Sequence, residues 1–192
     1  MQLSATPEIA TEIRTDVAAL TGDFEALVSL YRPRVFRFAL AALRDVDAAE
    51  SITQDCFLRA YQSRERFEQR CSLHTWLMRI AVNLIRDHTR TRRFQFWKRA
   101  NRTAKAVDAA GIAIADRGRS PEAQALLRER VAAIWTAADR LPTKQRTVFL
   151  LRFVEDLDLL EIADATGMKE GTVKAHLFRA LRAVRERIGE MS

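Results

Sequence analysis

The stretch Asp158–Arg187, DLLEIADATGMKEGTVKAHLFRALRAVRER, decides how this chain folds. Leu159, Ile162 and Ala163 recur at helical spacing. Asp158 can cap that helix, and Glu161 at the third position after it completes a capping box. Gly167 supplies the break, because a residue tolerant of positive φ is needed to end a helix and turn so sharply. A second helix follows, with Val173, Leu177, Ala180 and Val184 along one face. Thr172, Lys174, His176, Arg179 and Arg182 fall largely elsewhere. The pattern is a helix-turn-helix whose second helix packs its apolar side inward and offers cations to a major groove. An ordinary three-helix core would share the apolar spacing. It would not require so many cations and so few acids on the open face.

The charge balance of the whole chain agrees. Its 192 residues carry a net charge of +7. A basic balance suits nucleic acid or an anionic membrane surface, though its placement says more than its total. The length allows one ordinary domain or two small ones. Glycine and proline are sparse and no alternating β-branched pattern recurs, so an all-α protein is expected. No apolar run is long enough to span a bilayer. The start, MQLSATPEIATEIRTD, carries acids and no apolar signal core, so it does not read as a secretory leader and a cytoplasmic location is expected. Cys56 and Cys71 make no disulfide framework. Cys71 and His74 have a spacing that could put two ligands on one helical turn, but two ligands are not a metal site. No metal, cofactor or small-molecule substrate is expected.

Upstream of the helix-turn-helix, further helices can be read. Residues 1–22 suggest a loose tail and a short amphipathic helix through Ile13, Val17 and Leu20, broken at Gly22. Asp23 can cap a helix with Phe24, Leu27, Val28, Tyr31, Val35, Phe38 and Ala39 facing inward, Pro33 being an irregularity within it. Asp47 with Glu50 reads as a capping box for the next helix, which runs to about Ser63 and buries Ile52, Cys56, Phe57 and Ala60. RERFEQRCS is a polar loop, and Ser72 can cap a helix with Leu73, Trp76, Leu77, Ile80, Ala81 and Leu84. Ser120-Pro121-Glu122 is a helix start, with a capping residue, proline at the first position and an acid in the first turn. Leu126, Leu127, Ile134 and Trp135 give that helix its apolar face, and Leu141-Pro142 stops it. A helix from Thr143 then buries Val148 and Leu151. The expected architecture is a tail over residues 1–22, a helical domain over 23–94, a basic flexible linker over 95–120 and a helix-turn-helix domain over 121–190.

The helix after Ser72 carries its own chemistry. Arg79, Asn83, Arg86 and Arg90 form a cationic stripe suited to phosphates, continued by RTRRFQFWK. Trp76 beside a polar loop can stack on an unpaired base, or it can simply belong to the core.

Taken in order, DAAESITQDCFLRAY, HTWLMRIAVNLIRD, LPTKQRTVFLLRF and LEIADATGMKEGTVKAHLFRA resemble the extracytoplasmic-function class of bacterial RNA polymerase sigma factors, of the sigma-70 family. The resemblance runs from about Asp23 to Ile188, with the linker unmatched. It implies a non-enzymatic specificity subunit that binds core RNA polymerase, directs it to promoter DNA and helps melt the minus-ten element. It assigns Ser51, Gln54, Asp55 and Leu58 to the surface that docks on the clamp helices of the largest polymerase subunit. Ser51 stands where most relatives have an acid. The loop Arg64–Ser72 and the helix after it resemble the minus-ten reader, with Trp76, Arg79 and Asn83 as contacts and Arg86 and Arg90 on the backbone. Flipping a base into such a pocket couples sequence choice to melting. Thr172, Lys174, His176, Arg179 and Arg182 belong to the minus-thirty-five reader. Relatives often read Gly-Thr-Val-Lys-Ser-Arg where this chain has Ala175 and His176, which removes a hydroxyl and a permanent cation. Lys169 is a poor cap for that helix. An anti-sigma factor, often a membrane protein with a cytoplasmic helical segment, is the further partner that the resemblance implies.

Two other readings stand beside this one. The run Gly171–His176 also resembles the helix-turn-helix tails of two-component response regulators, which bind duplex DNA unaided, but no strand pattern provides a receiver. An enzyme acting on nucleic acid would need a metal cluster or a nucleophile–base pair, and three histidines with scattered carboxylates supply neither.

Overall fold

A computed structural model of the chain describes residues 23–98 and 121–189, and the side chains of 23–91 and 129–189. The expected N-terminal helix, the linker beyond Lys98, the cap at Ser120 and the side chains of Leu126 and Leu127 lie outside the described residues. Every described element is helical, so the all-α expectation holds.

Three helices form the first cluster. Helix α1, Phe24–Leu43, starts where Asp23 Oδ1 accepts a hydrogen bond from the Ala26 N–H at 3.0 Å. It buries Leu27, Tyr31, Val35, Phe38 and Ala39, and it carries Pro33 without interruption. Helix α2, Val46–Ser63, buries Ala49, Ile52, Thr53, Cys56, Phe57 and Ala60. A single 3-10 turn, Arg64–Arg66, leads into the polar loop. Helix α3, Leu73–Lys98, begins where Ser72 Oγ accepts from the Thr75 N–H at 3.1 Å. It buries Leu73, Leu77, Met78, Ala81, Val82, Leu84 and Ile85, and it continues past the point where the linker was expected to begin. Helix α1 packs on both α2 and α3, and α2 packs on α3.

The cap of α2 is not where the sequence suggested. Asp45 takes that role, its Oδ1 accepting from the Ala48 N–H at 3.0 Å, while Asp47 lies in the first turn. The expected capping box does not form because α1 ends at Leu43, with Arg44 in the left-handed region (φ 55°), which leaves Asp45 as the residue before α2. The chain reverses there without a glycine, so α2 starts at once. Glu50 is left to pair with Arg32 of α1.

The second cluster holds α4 (Pro121–Asp139), α5 (Thr143–Phe153), α6 (Leu159–Thr166) and α7 (Glu170–Gly189). Helix α7 is its spine, packing on α4, α5 and α6. Val148, Phe149, Leu150 and Leu151 of α5, Ile162 of α6, and Val173, Ala180 and Val184 of α7 fill the core. The capping box of α6 is complete: the Glu161 N–H donates to Asp158 Oδ1 at 2.8 Å, and the Asp158 N–H donates to Glu161 Oε2 at 2.9 Å. Gly167 closes α6 at φ 70°, its N–H donating to the Ala163 carbonyl at 2.9 Å.

The two clusters meet. Helix α6 lies on α3 and α5 lies on α1, so the buried residues form one continuous core.

Gly167 provides a clean test of what its site requires. An added Cβ would meet nothing within 4 Å, so substitution costs only the left-handed backbone. Gly167→Ala is expected to destabilise by about 1 kcal/mol and Gly167→Asn by less, since asparagine visits this region more readily. Chemical denaturation of the two variants checks the order.

A candidate nucleic-acid interface on two helices

The recognition helix α7 presents the expected set. Thr172, Lys174, Arg179 and Arg182 are exposed, while His176 is half-buried. Two of the cations are held by acids on their own helix: Lys174 Nζ lies 2.6 Å from Glu170 Oε1, and Arg182 Nε lies 2.7 Å from Glu186 Oε1. The Glu186 bond raises the affinity of Arg182 for its proton. Such i, i+4 pairs orient long side chains and give way easily to a phosphate, since exposed pairs of this kind are weak. Arg179 makes no ion pair among the described residues. His176 is pushed below the ordinary histidine range, first by burial and then by Arg179 and Lys144. At neutral pH it therefore offers α7 no charge, and its Nδ1 is buried without a hydrogen-bond partner in the structure.

The sequence reading overlooked Phe178. It is 69% exposed, one turn from both Lys174 and Arg182, where an apolar ring has no partner within the protein's own core. A large apolar side chain on a cationic helix face suits a thymine methyl group. The signal was available in principle: Phe178 breaks the apolar spacing set by Val173, Leu177, Ala180 and Val184.

Helix α3 carries the second set. Arg86 and Arg90 are exposed, and Asn83 is half-buried on the same helix. Arg90 lies 3.7 Å from Asp87. Trp76 is half-buried and packs on Phe67 of the preceding loop, with ring centroids 5.1 Å apart. The loop Arg64–Ser72 is thereby pinned to α3 by an aromatic pair.

Arg79 is not simply open to solvent. Its Nε donates to the Asp164 carbonyl of α6 at 2.8 Å, and a second nitrogen lies 3.8 Å from Asp164 Oδ1. Thr75, fully buried one turn earlier, donates from Oγ1 to Glu161 Oε1 at 3.0 Å. Glu161 thus serves the capping box with one oxygen and α3 with the other.

Beside this contact lies a charge removed from water. Glu155, in the turn after α5, is 1% exposed. Arg34 Nε lies 3.3 Å from its Oε2, and Arg37 lies 3.5 Å from its Oε1. His74 Nε2 lies 3.0 Å from Oε2, and a carboxylate only accepts there, so the ring donates. The imidazole stacks on Tyr31 with centroids 6.1 Å apart. His74 is committed to this ion cluster, which removes half of the Cys71–His74 metal pair. Among the described residues no group of three or more His, Cys, Asp or Glu could hold a metal ion. A second ionic contact joins the clusters where Arg44 and Arg146 both bind Asp139, and Arg146 also reaches the Ala41 carbonyl.

The third surface is on α2. Ser51, Gln54, Asp55 and Leu58 are all exposed along one side. Tyr61 extends it, 47% exposed, edge-on to Phe24 and covered on one face by the Arg64 guanidinium at 4.0 Å. Leu58 and Tyr61 together make an apolar patch that the fold leaves open.

Known proteins share this arrangement. Residues 27–95 match sigma-70 region 2, and residues 132–184 match sigma-70 region 4. The chain is 30% identical over 173 residues to the ECF RNA polymerase sigma factor SigW of Bacillus subtilis, covering 88% of this chain and 90% of that one. The sigma factor RpoE solved in complex with the anti-sigma factor NepR from Bartonella quintana has the same fold, at 23% identity and a TM-score of 0.70, covering 87% of this chain and 97% of that one. So has CnrH, solved with the cytosolic domain of CnrY, at 21% identity and a TM-score of 0.64, covering 94% and 99%. The chain belongs to the extracytoplasmic-function RNA polymerase sigma factors of the sigma-70 family. It acts as a sigma factor.

The two thiols allow a check on the packing. Burial pushes Cys56 up to about 12, against a smaller opposing effect of Arg59. Cys71 is also raised, first by burial, with Arg79 opposing and Asp164 and Glu161 adding to it. Iodoacetamide at pH 8 should modify Cys71 slowly and Cys56 only on unfolding, because the thiolate is the nucleophile. Mass spectrometry of the alkylated chain reads both rates.

Proposed function

We propose that this sigma factor divides its work among the three surfaces just described. Helix α2 docks on the clamp helices of the largest subunit of core RNA polymerase through Ser51, Gln54, Asp55 and Leu58. The loop Arg64–Ser72 and α3 read the minus-ten element through Trp76, Arg79 and Asn83, with Arg86 and Arg90 on the DNA backbone. Helix α7 reads the minus-thirty-five element through Thr172, Lys174, His176, Arg179 and Arg182. The region 2-like unit is residues 23–94 and the region 4-like unit residues 121–190, with 95–120 linking them.

The observation that carries this reading is the separation of roles on the helices. On α2 the proposed polymerase contacts are exposed while Ile52, Cys56, Phe57 and Ala60 on its other side are buried. On α7 the exposed cations likewise oppose Val173, Ala180 and Val184. Such faces serve no purpose in the fold itself. The neutral His176 makes phosphate or guanine contact weaker at that position than an arginine would. Stable promoter binding then depends on core polymerase, which supplies the remaining contacts.

The chain works in the cytoplasm, where core polymerase is, and no described helix is long and apolar enough to cross a membrane. An anti-sigma factor controls it; the similar sigma factor RpoE was solved in complex with the anti-sigma factor NepR from Bartonella quintana. A membrane-anchored regulator fits an externally induced factor.

Purified core polymerase tests the reading directly. The chain should be retained on core, and run-off transcription from promoter-bearing genomic fragments should yield new start sites. Tight duplex binding by the free chain without core retention would instead favour a stand-alone regulator.

Two substitutions separate the DNA-reading helices. Lys174→Ala should weaken minus-thirty-five recognition and lower the slope of log affinity against log salt by roughly one. Asn83→Ala should spare closed-complex binding and impair melting, read by permanganate footprinting. Equal loss of both steps in both variants would contradict the division.

A further inference from the structure

The basic face of α7 is continued by a second helix. Helix α5 packs on α7 and buries Val148. Lys144 stands one turn before Val148, so it leaves α5 on the same side, at the first turn, where it is exposed. Its charge is felt at His176. Burial first, and then Arg179 and Lys144, push that imidazole below the ordinary histidine range. Two helices thus bring an exposed lysine, an exposed arginine and a half-buried imidazole to one edge of the molecule. No acid is among the charges that act on the ring, and its Nδ1 is buried with no hydrogen-bond partner in the structure. Neither Lys144 nor Arg179 makes an ion pair among the described residues. Elsewhere the fold gives its gathered cations a carboxylate, Asp139 for Arg44 and Arg146, and Glu155 for Arg34 and Arg37. Cations collected without an acid repel one another, and an anion relieves them.

We propose that Lys144, His176 and Arg179 form one binding site for a backbone phosphate of duplex DNA, so that α5 as well as α7 holds the minus-thirty-five element. The inference rests on the assignment of α7 to that element. Lys144 supplies from α5 the permanent charge that His176 does not bring to α7. A phosphate is the ligand that suits the three groups, because what they share is positive charge and not a pattern that reads one base.

The site binds a proton with its phosphate. In the free chain the two neighbouring cations help to keep the ring neutral. A phosphate reverses that field and favours the charged imidazole. Binding therefore takes up a proton, and affinity rises as pH falls through the ordinary histidine range, about 6.5. The charged groups that act on the ring are Arg179 of its own helix and Lys144 of α5; α4 and α6, which also pack on α7, bring none. Removing Lys144 lifts one of the two charges that oppose protonation, so the rise then begins at higher pH.

The full chain on core polymerase is compared with Lys144→Gln, His176→Gln and Arg130→Gln on a promoter fragment that supports run-off transcription. Arg130 is exposed on α4 and does not act on His176, so it controls for the loss of one charge anywhere. Lys144→Gln is expected to weaken binding several-fold and to lower the slope of log affinity against log salt by roughly one. Arg130→Gln should keep the parent slope. Parent affinity should rise between about pH 8 and about pH 6, begin to rise at higher pH in Lys144→Gln, and show no such rise in His176→Gln. Far-UV circular dichroism matching the parent chain establishes that the variants are folded.

A parent-like salt slope in folded Lys144→Gln would overturn the proposal, as would an equal fall in Arg130→Gln. A rise with falling pH that survives in His176→Gln would remove His176 from the site. The same slopes are measured with the free chain at low salt on a random-sequence duplex, where phosphate contact needs neither promoter nor polymerase. A parent chain that is not retained on core would count against the sigma-factor reading, while the Lys144→Gln slope on the random duplex still decides the site.

Discussion

Glu155 is the residue on which the arrangement of this molecule depends. A carboxylate 1% exposed must find compensation inside the protein. It finds it only because Arg34, Arg37 and His74 approach from two other helices. Removing one partner of a buried charge pair typically costs about 3–5 kcal/mol, whereas an exposed pair such as Glu68–Arg70 contributes little. The cluster is therefore better understood as a device that selects one docking of α5 on α1 than as a general source of stability. The apolar core runs through both clusters, and the caps are local to each. What Glu155 adds is the relation between them.

The same chemistry recurs at each functional helix. Arginine and lysine are provided with acids close by: Asp164 for Arg79, Asp87 for Arg90, Glu170 for Lys174, Glu186 for Arg182. These pairs offset the repulsion among neighbouring cations without burying them. On the proposed reading they are what a DNA ligand must displace. The pairs within α3 and α7 are local and exchange readily. The pair between Arg79 and Asp164 joins two clusters.

What the sequence made legible was local. Asp158, Glu161 and Gly167 specify a capped helix and its stop within ten residues, and the structure builds them as expected. Asp23 and Ser72 cap their helices for the same reason. The start of α2 was misread because the reversal before it uses Arg44 at positive φ, where sequence rules look for glycine. The exposure of the α7 cations followed from the period of Val173, Ala180 and Val184, but Phe178 was hidden by its apolar identity. The Glu155 cluster was not legible at all. Its partners lie far away in the sequence, and no periodicity marks an acid in a turn as a buried one. Nor could spacing show that Glu161, correctly placed in a capping box, has a second oxygen reserved for Thr75. The family resemblance named the surfaces; it did not reveal that Arg79, on one of them, is bonded to α6.

The central proposal is that the exposed face of α2 docks on core polymerase. A fluorophore at Gln62, an exposed position one turn from Leu58, reports that contact through its anisotropy. The account predicts that the anisotropy rises when core polymerase is added to the labelled chain, and that the rise needs much more polymerase when Asp55→Arg and Leu58→Asp are introduced together. Parent-like binding of the folded double variant would contradict it.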